Sequence, residues 1–113
     1  MGAVKQAEVV PERIAEGRTR YLAHTDHLMV VVMDFRDGPA AKPDPPHTHP
    51  HEQITYVASG ELLFFVDGVP HRLQSGDLIT VPPDVPHTIQ ILTDYARLVD
   101  TFTPIRADFL KKD

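Results

Sequence analysis

Apolar and β-branched runs of five to eight residues, each closed by glycine, proline or aspartate, succeed one another along most of this chain, a rhythm that fits short strands. Long helical periodicity is hard to find. Leu28-Met29-Val30-Val31-Val32-Met33 reads as a core strand. Asp37 to Pro50 holds five prolines, each of which fixes φ and removes a backbone donor, so the stretch is an ordered loop and no helix. Two strands follow, Gln53 to Ala58 and Glu61 to Val66, joined by the tight turn Ser59-Gly60, and Asp67-Gly68 marks a second hairpin. Leu73 leads into the turn Gln74-Ser75-Gly76-Asp77 and the strand Leu78 to Val81. The turn Pro82-Pro83-Asp84-Val85-Pro86 then opens onto the strands His87 to Leu92 and Ala96 to Thr103. Ile105 to Lys112 is expected to make a short helical turn, in a chain whose expected class is all-β.

With 113 residues, 42% of them apolar, and no linker, the expectation is one domain over residues 1–113. A core of that size gains from a bound metal or a partner subunit. Leu62-Leu63-Phe64-Phe65-Val66 is apolar on both faces and needs cover on two sides: a barrel supplies one, and a subunit interface or a packed second sheet the other. A homodimer is the plainer expectation. No apolar run approaches bilayer length, and Met1 to Val10 carries Lys5 and Glu8 where a signal peptide needs an apolar core. A cytoplasmic address and no membrane partner are therefore expected. The absence of cysteine excludes thiolate ligands, disulfides and thiol nucleophiles, leaving His, Asp, Glu and Gln for any ligation. A net charge of -5 without a Lys/Arg cluster argues against nucleic acid, which needs a basic face.

The segment His47-Thr48-His49-Pro50-His51-Glu52-Gln53 carries the densest chemistry. A period of two puts His47 and His49 on one side of an extended chain, their Cα atoms about 7 Å apart, within reach of one ion at about 2.0–2.1 Å. Gln53 shares their parity and Glu52 faces the other way, an order that a one-residue bulge would reverse. His87 follows a turn whose three prolines fix the entry to its strand, which suits a ligand that must be held in place. His51 is expected at the outer edge of the strand, with an alternate ligand or a group behind the ligands as its other readings, and His24, His27 and His71 near exposed turns.

These blocks resemble the two cupin motifs. In the first, residues 47–60, His47 and His49 are followed after three residues by Gln53, where Glu is commoner, and after six more by Gly60. In the second, residues 76–91, Gly76 is followed by Pro82, Asp84 and His87; it departs from the pattern at Asp84, where Gly is usual, and at Ile91, where Asn is usual. The resemblance implies a double-stranded β-helix, a jelly-roll barrel, holding one divalent metal through His47, His49, Gln53 and His87. Zinc, nickel, iron, cobalt and manganese all suit three imidazoles and an amide oxygen. Gln53 in place of an acid leaves the site one negative charge lighter, which implies a stronger Lewis acid, weaker metal binding and an oxygen ligand that cannot act as a base.

The run Asp100-Thr101-Phe102-Thr103-Pro104-Ile105-Arg106, with the tail 104–113 and the His-Pro-His-Glu-Gln of the first motif, resembles the KdgF-type cupins of pectin and alginate breakdown. Those proteins carry a similar Asp-x-Phe-x-Pro-x-Arg tail. The resemblance implies a non-redox ring opening of 4,5-unsaturated monouronates to linear 4-deoxy-5-keto uronates, with an acidic sugar as the small-molecule partner. Asp100 would act as general acid/base, Arg106 would bind the carboxylate and Phe102 would line the pocket. Alternation puts Leu98, Asp100 and Phe102 on one face of the last strand. Plainer roles stand beside these: Asp100 as a strand-end acceptor, Phe102 as core, and Arg106 paired with Asp108 or Asp113. Two other functions use the same frame, a mononuclear non-haem iron dioxygenase and a non-catalytic sugar- or small-molecule-binding module.

Overall fold

A computed structural model describes residues 2–110. The strands are β1 (Glu12–Ala15), β2 (Arg18–His24), β3 (Met29–Phe35), β4 (Glu52–Ser59), β5 (Glu61–Val66), β6 (Val69–Gln74), β7 (Leu78–Val81), β8 (His87–Ile91) and β9 (Ala96–Thr103). They form two antiparallel sheets, one ordered β1-β2-β3-β9-β4-β7 and the other β6-β5-β8. This is the expected all-β jelly-roll barrel. Short 3-10 turns at Gln6–Glu8 and Ala107–Leu110 are the helical pieces among the described residues. The second falls within the turn expected over Ile105 to Lys112, whose last two residues lie outside the described residues.

Strict alternation places the site. Along β4, Gln53, Thr55 and Val57 are buried while Glu52, Ile54, Tyr56 and Ala58 are exposed. Along β9, Ala96, Leu98, Asp100 and Phe102 are buried. The two strands are neighbours in register, with Gln53 opposite Phe102 and Thr55 opposite Asp100, so four inward side chains meet on one patch of the barrel wall. The register shift between them falls at Val57/Ser59, past the patch, and the parity of Gln53 survives it.

One buried cluster, including Phe35, Val57, Leu62, Phe64, Ile91 and Leu98, fills the barrel below that patch, and Met29, Val31 and Phe102 form a second. Gly60 closes the β4–β5 turn with φ 86, and a Cβ there would lie 2.4 Å from the Tyr95 carbonyl oxygen. Only glycine fits that approach.

β1 and β2 carry no apolar run and were not anticipated. The sequence of β2, Arg-Thr-Arg-Tyr-Leu-Ala-His, has polar and apolar residues on both faces, and it is held by pairing with β3 from Arg18↔Phe35 to His24↔Met29. β3 extends past its apolar stretch to Phe35, taking in Asp34. The buried Asp34 carboxylate is satisfied there by Arg97 at 2.8 and 2.9 Å and by the Tyr95 hydroxyl at 2.6 Å. The proline-rich loop runs along β8, Ala40 N–H donating to the Ile91 carbonyl (2.8 Å) and Asp44 N–H to that of Ile89 (3.0 Å). Pro43 and Pro46 share a shallow cleft with the half-buried Phe65, so part of the cover for the second face of β5 comes from the chain itself.

Candidate metal centre

Backbone pairing joins the two histidine motifs. His47 and His87 form an antiparallel bridge, each N–H donating to the other's carbonyl at 3.1 and 3.0 Å, and Asp84 N–H donates to the His49 carbonyl at 2.9 Å. Asp84 has φ 63, the left-handed region that explains why glycine is usual at this motif position. Aspartate is among the few L residues that adopt it at modest cost.

The rings of His47, His49 and His87 converge, with centroids 4.3 Å (47 to 87), 4.7 Å (49 to 87) and 5.9 Å (47 to 49) apart. One ligand atom from each lies within 4.8 Å of the others, so the three could hold one metal ion. Their protonation agrees. The Nδ1 of His87 sits 2.9 Å from the Val85 carbonyl and that of His49 3.1 Å from the His51 carbonyl. A carbonyl only accepts, so each Nδ1 carries the hydrogen and each Nε2 presents a lone pair. The His87 Nε2 is buried with no protein partner. Burial lowers all three imidazoles, and nearby His87, His49 and Arg106 help to bring His47 down to about 4. Neutral imidazoles are the form that ligates.

Gln53 lies beside the three rings. Its Oε1 lies 2.9 Å from the His49 Nε2, while its amide nitrogen donates to the Thr55 hydroxyl at 2.9 Å. With the one hydrogen of neutral His49 already given to the His51 carbonyl, two lone pairs face each other across that gap. A cation shared by Nε2 and Oε1 resolves the conflict without charging a ring that burial keeps neutral. The donors present therefore fit a divalent ion of borderline character, held by three nitrogens and a neutral oxygen.

A cavity of about 300 Å³ opens beside these groups, and His47, Gln53, His87, Asp100, Phe102 and Arg106 share its wall. Its size is at the low end for small-molecule sites. The Asp100 carboxyl accepts the Thr55 hydroxyl on Oδ1 at 2.6 Å, while Oδ2 makes no hydrogen bond among the described residues. Burial pushes Asp100 up to about 6, against smaller opposing effects of Thr55 and Arg106. Arg106 lies over the rings of Phe109 (4.0 Å) and Phe102 (5.3 Å) and pairs with Asp108 at 2.9 Å. Phe102 is 2% exposed and meets His49 edge-on at 5.6 Å, so core residue and cavity wall are one role.

His51 departs from expectation. Its ring is half-buried, 5.3 Å from that of His49, with Nδ1 buried and unpartnered, instead of lying at an outer edge. The chain bends at Pro50 and His51, so strand alternation starts only at Glu52. Glu52, His24, His27 and His71 are exposed as expected, and Asp113 lies outside the described residues. Two participants were missed. Thr55 shares the parity of Gln53, a signal that was available; Arg18, on the cavity wall and paired with Asp44 at 2.6 and 3.1 Å and with Asp37 at 2.9 Å, sits in no motif.

Residues 33–102 match the cupin domain family. The pectin degradation protein KdgF of Dickeya dadantii (strain 3937) is 34% identical over 101 residues, covering 88% of this chain and 89% of that protein. Among solved structures, an RmlC-like cupin from Shewanella frigidimarina NCIMB 400 is 36% identical with a TM-score of 0.84, over 94% of this chain and 93% of the other. The structure of KdgF from Halomonas sp. is 29% identical with a TM-score of 0.85, over 96% and 99%.

Proposed function

The chain belongs to the cupin family, alongside the pectin degradation protein KdgF, and we propose that it opens the ring of a 4,5-unsaturated monouronate to give the linear 4-deoxy-5-keto uronate. The observation that carries this reading is Asp100, a buried carboxyl pushed up to about 6 on the wall that also presents Arg106 and the histidine cluster. A group poised near neutrality both takes and gives a proton under the same conditions.

Ring opening removes a proton from the anomeric hydroxyl, forms the C1 carbonyl, breaks the bond from C1 to the ring oxygen, and delivers a proton to C4. One proton leaves and one arrives. Asp100 Oδ2, the oxygen not occupied by Thr55, is the site that holds it between the two positions. Arg106, oriented by Phe102, Phe109 and Asp108, takes the sugar carboxylate, and Phe102 lies against the ring. His47, His49, Gln53 and His87 would hold one divalent ion. When bound, it supplies Lewis-acid polarisation of a substrate oxygen and draws off developing negative charge. Gln53 is an amide and no base, and an imidazole that gives its lone pair to an ion has none left for a proton, so the transfer falls to Asp100.

The test is to follow the loss of ene absorbance when protein of known metal content meets unsaturated monouronates. Wild type is expected to exceed the spontaneous rate, with zinc and without oxygen, which separates it from a dioxygenase. Asp100→Asn is expected to match the control while its metal content stays unchanged. A wild-type rate equal to the control across several divalent metals overturns the function. A homodimer belongs to the same proposal, supported by the outward-facing Val30, Ile54, Tyr56 and Leu78 of the larger sheet, and sedimentation as a monomer would refute it.

A further inference from the structure

Thr55 is fully buried on β4, two residues from Gln53 and directly opposite Asp100 on β9. Its hydroxyl has one hydrogen and two neighbours. Ionised Asp100 only accepts, so the hydrogen points to Asp100 Oδ1 at 2.6 Å, and the Oγ1 lone pairs are left for the Gln53 amide nitrogen at 2.9 Å. That contact turns the NH₂ of Gln53 away from the histidines and leaves Oε1 facing His49. The two ends of an amide are nearly the same in shape, so packing alone does not choose between them; the hydrogen-bond chain does.

We propose that Thr55 is a positioning residue that turns the oxygen of Gln53 toward the histidine cluster and ties that orientation to Asp100. The inference rests on the reading of His47, His49, Gln53 and His87 as a ligand set. It also accounts for glutamine at position 53. A glutamate there would set two carboxylates against one hydroxyl hydrogen, whereas glutamine puts a donor on one side of Thr55 and an acceptor on the other.

The test compares Zn²⁺ and Ni²⁺ binding by calorimetry on metal-free full-length wild type, Thr55→Ser, Thr55→Val, Thr55→Ala and Gln53→Ala, each checked for folding by circular dichroism. Loss of the hydroxyl is expected to weaken metal binding by about 10- to 100-fold, as for other groups that orient ligands. Thr55→Ser is expected to restore it to within about 3-fold, a recovery that packing alone would not produce. Adding Thr55→Val to Gln53→Ala is expected to weaken binding no further, because the residue it orients has gone. Thr55→Ala makes the same measurement if the valine variant fails to fold. Wild-type affinity in the folded valine or alanine variant overturns the role of Thr55 and leaves the metal reading intact. Wild type that binds neither ion, or binds both unchanged after His87→Ala, overturns the metal reading and this inference with it.

Discussion

Asp100→Asn should separate stability from function. The carboxyl rises from its ordinary value of 3.8 to about 6 in the folded protein, chiefly through burial, so the native state holds this proton more tightly than the unfolded chain. A rise from 3.8 to about 6 corresponds to about 3 kcal/mol. The contribution favours the folded state in full below about pH 4 and is lost as pH rises through about 6. Above that range the native protein carries a buried negative charge that the unfolded chain would hydrate. Asparagine keeps the shape and the acceptor for the Thr55 hydroxyl but not the charge. Its NH₂ still needs an acceptor, which reduces the gain, so metal-free Asp100→Asn is expected to be about 1–3 kcal/mol more stable than metal-free wild type at pH 8. Near pH 4 the difference should shrink toward zero. Urea denaturation of both proteins at the two pH values reads the effect directly, with thermal melts expected to move by several degrees in the same direction. A variant less stable than wild type at pH 8, or a gap of the same size at both pH values, would refute the assignment of Asp100 as a buried carboxyl with a raised pKa.

Gly60→Ala forces a Cβ to within 2.4 Å of the Tyr95 oxygen at a φ of 86, and should lose about 3 kcal/mol in a urea titration; a loss under about 1 kcal/mol would mean the turn relaxes freely. Arg97, by hydrogen bonding and charge, holds the Asp34 carboxyl below the usual range, so its contribution is present above about pH 4 and lost as pH falls through the lower folded value. Asp34→Ala should therefore cost about 2 kcal/mol at pH 7 and flatten the acid side of the stability profile, and an unchanged profile would count against the pair. Arg106→Lys keeps the charge but loses the planar fork over Phe102 and Phe109; steady-state assays should show KM raised by about 10-fold or more with a smaller change in kcat, and an unchanged KM would remove the carboxylate role.

What could be read from the chain follows from which interactions are local. β5, β7 and β9 have the boundaries anticipated from their residues, because alternation and turn chemistry act within a few positions. β2 was hidden because its stability comes from β3, and its own residues mark neither face as the inner one. The four candidate ligands were legible through spacing, and Asp100 and Phe102 through parity. The bend at Pro50 was not, so His51 was misplaced and its carbonyl was not recognised as the acceptor that fixes the His49 tautomer.

Thr55 shows the limit most clearly. Inside a strand, threonine is an ordinary β-former, and its parity with Gln53 says only that it points inward. Its importance depends on Asp100, 45 positions away in sequence, lying opposite it in register. That pairing makes the hydroxyl a donor to one neighbour and an acceptor from the other. Seen alone, Gln53 is an amide where the cupin pattern more often has an acid. Joined through Thr55, Gln53 and Asp100 divide two tasks between them: a neutral oxygen faces the histidines while the carboxylate stands on the cavity wall, where burial raises it toward neutrality. Had position 53 kept an acid, the same hydroxyl would face two negative groups, and the ionised form of Asp100 would lose stabilisation. One strand pairing thus links the amide to the carboxyl, while burial, against the Thr55 hydrogen bond, is what raises Asp100.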